Sequence, residues 1–202
     1  DLQSSIGHPV SVKMRESEGV DFAKEWKNSL GIPMLPLRDD VMMSAWEIRV
    51  KDFDYFCSMT GEKRESKPKF AQDDKHPVVL VNRNQIDKFC KWLTEYERGK
   101  GQIGFNLRYE LPTDKDWSFA AGLKIEEGSS PAERDRLVKG IFPWGENWPP
   151  EKEAVNIADL SALNWLSESA IVRSYEDGFS HTSPVGSFNP NDKGFYDLAG
   201  NV

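Results

Sequence analysis

The most regular apolar pattern in the chain is Ile86, Phe89, Cys90 and Leu93, the spacing of one face of an α-helix. Asn82 or Asn84 can accept from the free amides of its first turn, and glycines at 99, 101 and 104 mark its end. Val50, Phe53, Phe56 and Cys57 write a second helical face, closed by Gly61 where a left-handed cap would sit. Between the two, Glu62 to Lys75 is charged and aperiodic and reads as an exposed loop, followed by a short buried segment over His76–Val81. Upstream, Asp39 and Asp40 make a turn, and Val41 to Ile48 has the apolar density of a partly buried strand. A short helix is expected over Val20–Trp26, stopped by Gly31 and Pro33.

Downstream the punctuation thickens. Leu107 to Leu111 reads as a strand closed by Pro112. Thr113 and Asp116 then resemble a capping box, with Trp117, Ala120 and Ala121 as the buried face of a short helix. Gly122 to Gly140 is a polar excursion containing Ser129-Ser130-Pro131. After Phe142, Gly, Pro, Asn and Asp recur so often that irregular backbone must dominate. The pattern predicts an α+β domain with a few short helices and strands and much ordered coil, with residues 1–33 as a weakly patterned extension.

Composition narrows the function classes. The chain has 202 residues, enough for one large core, and one domain is expected. Its net charge of -7, with no basic block, argues against nucleic acid as a partner, because phosphate binding needs a basic face that releases counterions. No run approaches the apolar length of a membrane span. Cys57 and Cys90 are too far apart in sequence for a metal-ligand motif and read as packed thiols, a bridge between the two helices being left open.

The order of several short blocks carries a resemblance. Trp46-Glu47-Ile48-Arg49-Val50 precedes the first helix, and His76-Pro77-Val78-Val79 precedes Cys90-x-Trp92-Leu93. Leu111-Pro112-Thr113 leads to Trp117 and Ala120-Ala121, and then come Phe142-Pro143-Trp144-Gly145, Asn156-Ile157 and Asp177-Gly178-Phe179. Pro184-Val185-Gly186-Ser187-Phe188, Asn189-Pro190-Asn191 and Gly194 through Val202 complete the series. In this order the blocks resemble the formylglycine-generating enzyme, or sulfatase-modifying factor, family.

That resemblance implies a C-type-lectin-like formylglycine-generating-enzyme fold that is poor in regular structure. It also implies a structural Ca²⁺ held by side-chain oxygens of Asn156 and Asp177 and backbone carbonyls of Ile157 and Phe179. Such hard-oxygen donors suit calcium, which accepts carboxylate, amide and carbonyl oxygens in flexible geometry. Asn201 and Val202 match the start of a second calcium segment whose Glu would follow them. Asp177-Gly178 as a plain turn, with Asn156 as a loop cap, is the competing reading.

In an intact family member, two cysteines near the C-terminus bind Cu⁺, and oxygen converts a cysteine of a target peptide to formylglycine. Soft thiolates select that ion. Cys57 and Cys90 fall in other blocks and are not assigned the role, so the expectation is a chain that stops short of the catalytic segment, with no catalytic residue named. A non-catalytic module binding a protein or other ligand on the same scaffold is the alternative. A non-haem iron sulfoxide synthase relative is the second, disfavoured because His8, His76 and His181 share no helix or motif. Trp144, Trp148 and Trp165 are candidates for a peptide groove, with core packing as the ordinary reading.

Overall fold

A computed structural model describes residues 20–123, 128–134 and 138–202, together with the backbone of 11–13. The chain forms two compact units, Asp1–Pro112 with Val202, and Thr113–Asn201.

The first unit carries the sheet. Strands β1 (Ser11–Lys13), β2 (Trp26–Lys27), β3 (Pro33–Arg38), β4 (Val41–Ser44) and β5 (Arg108–Glu110) lie in the order β2-β3-β4-β1-β5. Every pairing is antiparallel, with Ser11 opposite both Met43 and Glu110. The Asp39–Asp40 turn joins β3 to β4, and Met42 and Met43 are fully buried. The strand expected over Val41–Ile48 is shorter than its apolar run: it stops at Ser44, and Ile48 instead accepts from the Val78 amide.

The helix expected over Val20–Trp26 is not there. Trp26 belongs to β2, opposite Met34, and its indole N–H donates to the Met42 sulfur at 3.2 Å. A pairing with residues eight or more positions away outweighs the local apolar spacing of so short a segment. Asn28 then makes the turn, its Oδ1 accepting from the amides of Leu30 and Ile32 at 3.0 Å each.

Both long helices form. Helix α1 (Val50–Thr60) ends on Gly61 at φ +76°, whose N–H donates to the Cys57 carbonyl at 2.9 Å. Its start is held by the buried Arg49–Asp52 pair, with Nε and Nη2 of Arg49 reaching the carboxylate at 2.8 and 3.0 Å. Helix α2 (Arg83–Gly99) takes Asn82 as its cap: Asn82 Oδ1 accepts from the Gln85 amide at 3.0 Å, and Gln85 Oε1 accepts in return from Asn82 N–H at 3.1 Å. The helices meet through aromatics. Phe89 stacks on Phe53 with centroids 5.8 Å apart and meets Phe56 edge-on at 5.6 Å. Burying such a ring contributes about 1.5–3 kcal/mol relative to leaving it in water.

Cys90 is buried, Cys57 is half-buried, and both are free thiols, so the bridge left open by the sequence is not made. Burial pushes the Cys90 thiol up to about 12, and burial likewise raises Cys57.

The second unit begins with α3 (Asp114–Ala120), where Thr113 Oγ1 accepts from the Asp116 amide at 3.2 Å and Asp116 Oδ2 accepts from Thr113 N–H at 2.9 Å. Ala120 and Ala121 are buried as expected, but Trp117 is 37% exposed, and Asp116 and Ser118 face inward instead. Part of the Gly122–Gly140 excursion lies outside the described residues; within it, α4 (Pro131–Arg134) is fixed by the Arg134–Asp114 ion pair at 2.8 Å. Beyond Phe142 the only helical turns among the described residues are 3₁₀ segments, η1 (Leu160–Ala162) and η2 (Glu168–Ala170).

With almost no ladder, this coil is held by side chains reaching backbone. The Tyr175 hydroxyl donates to the Val155 carbonyl at 2.7 Å and accepts from its amide at 3.2 Å. Asn191 bonds the amides of Lys193 and Phe195 and the Ala120 carbonyl at once. Small helices and strands, a small antiparallel sheet and much ordered coil together match the α+β expectation.

Candidate functional site

Four of the residues expected at a metal, Asn156, Ile157, Asp177 and Phe179, come together in the second unit. Asp177 is the hub. Its Oδ2 accepts from the Ile157 amide at 3.0 Å and its Oδ1 from the Phe179 amide at 2.7 Å, so one carboxylate ties two segments 20 residues apart. The second contact is an Asx turn, with Gly178 at φ +87° between the two residues. The turn anticipated as a competing explanation is therefore present, and it forms part of the cluster.

Asn156 is buried and oriented by its amide nitrogen, which donates to the His181 carbonyl at 2.7 Å and to Asn201 Oδ1 at 3.3 Å. Among the described residues, no donor is hydrogen-bonded to Asn156 Oδ1 or to the carbonyl oxygens of Ile157 and Phe179. Three oxygens with unused acceptor capacity therefore belong to the residues gathered around a carboxylate. This donor set fits a hard cation by its chemistry. No group of three or more His, Cys, Asp or Glu able to hold a metal is found among the described residues, so amide and carbonyl oxygens would have to complete the shell.

Sequence reading missed Asp159. It is fully buried, its Oδ1 accepts from the Ser161 amide at 2.7 Å, and its Oδ2 accepts from the Asp177 amide. Burial lifts the Asp177 carboxyl to about 6, against the lowering effect of its two backbone amides, and the neighbouring Asp159 charge adds to the rise. The signal was faint: an Asp two positions after Ile157, at the start of an apolar stretch, has the look of a simple N-cap, and it does cap η1.

Asn201 reaches the same neighbourhood but spends its side chain otherwise. Its Oδ1 accepts from the Ser183 amide at 2.7 Å and hydroxyl at 3.2 Å as well as from Asn156, while its Nδ2 is buried with no partner among the described residues. Its own N–H donates to the Asn156 carbonyl at 3.0 Å. Gly200 passes so close that a Cβ there would lie 2.0 Å from that carbonyl oxygen, which is why the position takes no side chain. Val202 is exposed.

The histidines stand apart. His76 Nδ1 pairs with Asp73 at 2.8 Å, His181 stacks on Trp165 with centroids 4.8 Å apart, and His8 lies outside the described residues. The three tryptophans proposed for one groove divide: Trp144 and Trp148 cluster with Phe142, whereas Trp165 pairs with His181 and donates its indole N–H to the Ser180 carbonyl.

Comparison with known families adds a decisive observation: residues 36–202 match the model of the sulfatase-modifying factor enzyme 1-like domain. The chain belongs to the sulfatase-modifying factor family. Over 127 residues it is 33% identical to the "Inactive C-alpha-formylglycine-generating enzyme 2" of Bos taurus and 29% identical to the formylglycine-generating enzyme of the same species. The formylglycine-generating enzyme of Thermomonospora curvata is 30% identical over 128 residues. These alignments cover 62–63% of this sulfatase-modifying-factor chain but 31%, 25% and 31% of the respective relatives. In three dimensions the family member resembles PvdO from Pseudomonas aeruginosa, with a TM-score of 0.51 over 98% of this chain and 67% of that one at 19% identity, a likeness of fold.

Proposed function

We propose that this domain is the scaffold of a formylglycine-generating oxidoreductase, with a C-type-lectin-like fold whose irregular half is organised by calcium. Membership of the sulfatase-modifying factor family across residues 36–202 carries the reading, supported by relatives named formylglycine-generating enzyme. The scarcity of regular structure after Ala120 supports the lectin-like assignment.

Asn156 Oδ1, the Asp177 carboxylate and the carbonyls of Ile157 and Phe179 would hold the cation. Calcium would supply the positive charge that two neighbouring carboxylates, the buried Asp159 and the half-buried Asp177, otherwise lack, and would tie the 156–157 segment to the 177–179 turn. Asn201 and Val202 would belong to a second calcium site completed by a later Glu. That site would take backbone oxygen from Asn201, because its side-chain oxygen already accepts from Ser183.

Cys57 and Cys90 are not assigned to the copper pair: they lie in α1 and α2, outside the segment that carries the family's cysteines, and Cys90 is buried in the core. The family's cysteine pair would be supplied by a further segment of the intact protein, with a cysteine-containing peptide as substrate.

The experiment is to incubate the full-length protein with copper, a reductant, oxygen and a cysteine peptide, and to follow the peptide mass. Loss of the thiol with gain of an aldehyde is expected; an unchanged peptide rejects the oxidase reading. That result would favour the second reading, a non-catalytic binding module, which the likeness to a relative named inactive supports. Calcium is tested separately by melting with and without chelator, since a ligand bound only to the folded state stabilises it by mass action. A chelator-induced fall in Tm that disappears in Asp177→Asn is expected, and identical melting curves reject the ion.

A further inference from the structure

The second unit contains a cavity of about 550 Å³ that none of Asn156, Ile157, Asp177 and Phe179 lines, within the size range of small-ligand sites. One wall is aromatic. Phe142 and Gly145 exchange reciprocal backbone hydrogen bonds at 2.8 and 2.9 Å, a tight turn that sets the Phe142 and Trp144 rings parallel, 5.0 Å apart and 3° from coplanar. Trp148, 56% exposed, leans on Phe142 at 5.4 Å. The Trp144 indole N–H is used internally by the Asn147 carbonyl at 3.1 Å, so what this wall offers is π surface rather than a hydrogen-bond donor.

Among the charged side chains on the remaining walls, acidic ones predominate. Glu146, Glu151, Asp192 and Asp197 line the cavity against Lys152 and Lys193. Lys193 is turned away: its ammonium sits 3.6 Å from the Phe119 ring centroid and donates to the Phe119 carbonyl. Asp197 has no counter-charge among the described residues. Its Oδ2 accepts from the Gly186 amide at 2.7 Å, while its Oδ1 is sealed from solvent with no hydrogen-bond partner among the described residues. A carboxylate in that position acts on a ligand through its field, which is strong because little water screens it. Burial raises this carboxyl to about 6, leaving it mostly ionised at neutral pH.

An anion would face this acidic surplus, and a neutral apolar guest would leave the charge uncompensated. A cation with a carbon skeleton satisfies both walls at once, because aromatic faces attract cations through their quadrupole and carboxylates through charge. We propose that this cavity binds an organic cation, an alkylammonium or guanidinium group, against the Phe142–Trp144 wall, with Glu151, Asp192 and Asp197 supplying the opposite charge. The site uses none of the residues assigned to calcium and does not depend on cysteine oxidation.

The test is calorimetric titration of the full chain with n-butylammonium, methylguanidinium and neutral n-butanol. Saturable binding of the cations is expected, with butanol about tenfold weaker or worse, and with affinity falling as salt rises. Asp197→Asn should weaken the cations about tenfold and Glu151→Gln by a smaller factor. If Asp197→Asn does not fold, Glu151→Gln, at an exposed position, and Trp144→Ala, at a half-buried one, decide. Acetyl-arginine methylamide distinguishes sources: tighter binding than methylguanidinium identifies a polypeptide side chain as the guest, weaker binding a free amine, and either order supports the site. Butanol binding as well as butylammonium, no heat at millimolar cation, or unchanged affinity in the variants overturns the proposal.

Discussion

Single residues decide much of the second unit. Gly200→Ala drives a methyl into the Asn156 carbonyl, 2.0 Å from its oxygen, and neither backbone can retreat without breaking the Asn201-to-Asn156 hydrogen bond. A loss of about 2–4 kcal/mol is expected in denaturant titration, the range of overpacking combined with a broken buried hydrogen bond. The thiols make a second case. At pH 8, iodoacetamide should modify Cys57 slowly and leave Cys90 untouched until the protein unfolds, because Cys90 is both covered and held near 12. Peptide mapping after limited alkylation reads this directly, and rapid labelling of Cys90 would contradict its burial. Asp177 was legible as a candidate because a family motif surrounds it. Asp159 was not, because its importance arises from a meeting across 18 positions that no local pattern records.

At the scale of elements, the helices were the readable part. Their caps and apolar faces are written within one window of sequence: Asn82 and Gln85 close α2 from the same turn they begin, and Gly61 stands one residue past α1. Asn82→Ala should cost about 1 kcal/mol, whereas Phe89→Ala, which empties the contact with Phe53 and Phe56, should cost about 3–5 kcal/mol. Urea melts of the two variants would rank them, and the reverse order would mean that the aromatic cluster is not the seam between the helices. The sheet was harder to read, since β1 pairs with β5 across nearly a hundred residues and Trp26 is drawn into β2 by Met34 and Met42. Trp117 erred the other way. Helical spacing placed it inward, but the Thr113–Asp116 box rotates the short α3 so that Asp116 takes the buried position.

For the whole molecule, the buried carboxyls predict a pH response. Asp197 has its folded pKa raised from 3.8 to about 6, so the folded state holds this proton more tightly than the unfolded state does. Its contribution is therefore fully present below pH 3.8 and is lost as pH rises through about 6. In chelator-treated protein, stability should decline across that window, and Asp197→Asn should flatten the decline; an unchanged slope in the variant would assign it to other groups.

The stretch from Asn156 to Asn201 has its two ends fastened together: the amide of Asn201 meets the carbonyl of Asn156, and their side chains touch 45 positions apart in sequence. Polypeptide secured in this way behaves as a buckled strap. The entropic penalty of lengthening it rises only with the logarithm of its length, so insertions at exposed positions of the arc that make no cross-contacts are cheap, while damage at the buckle loosens everything it encloses. Sequence variety in related chains is therefore expected to accumulate along the arc, with the fastening left alone.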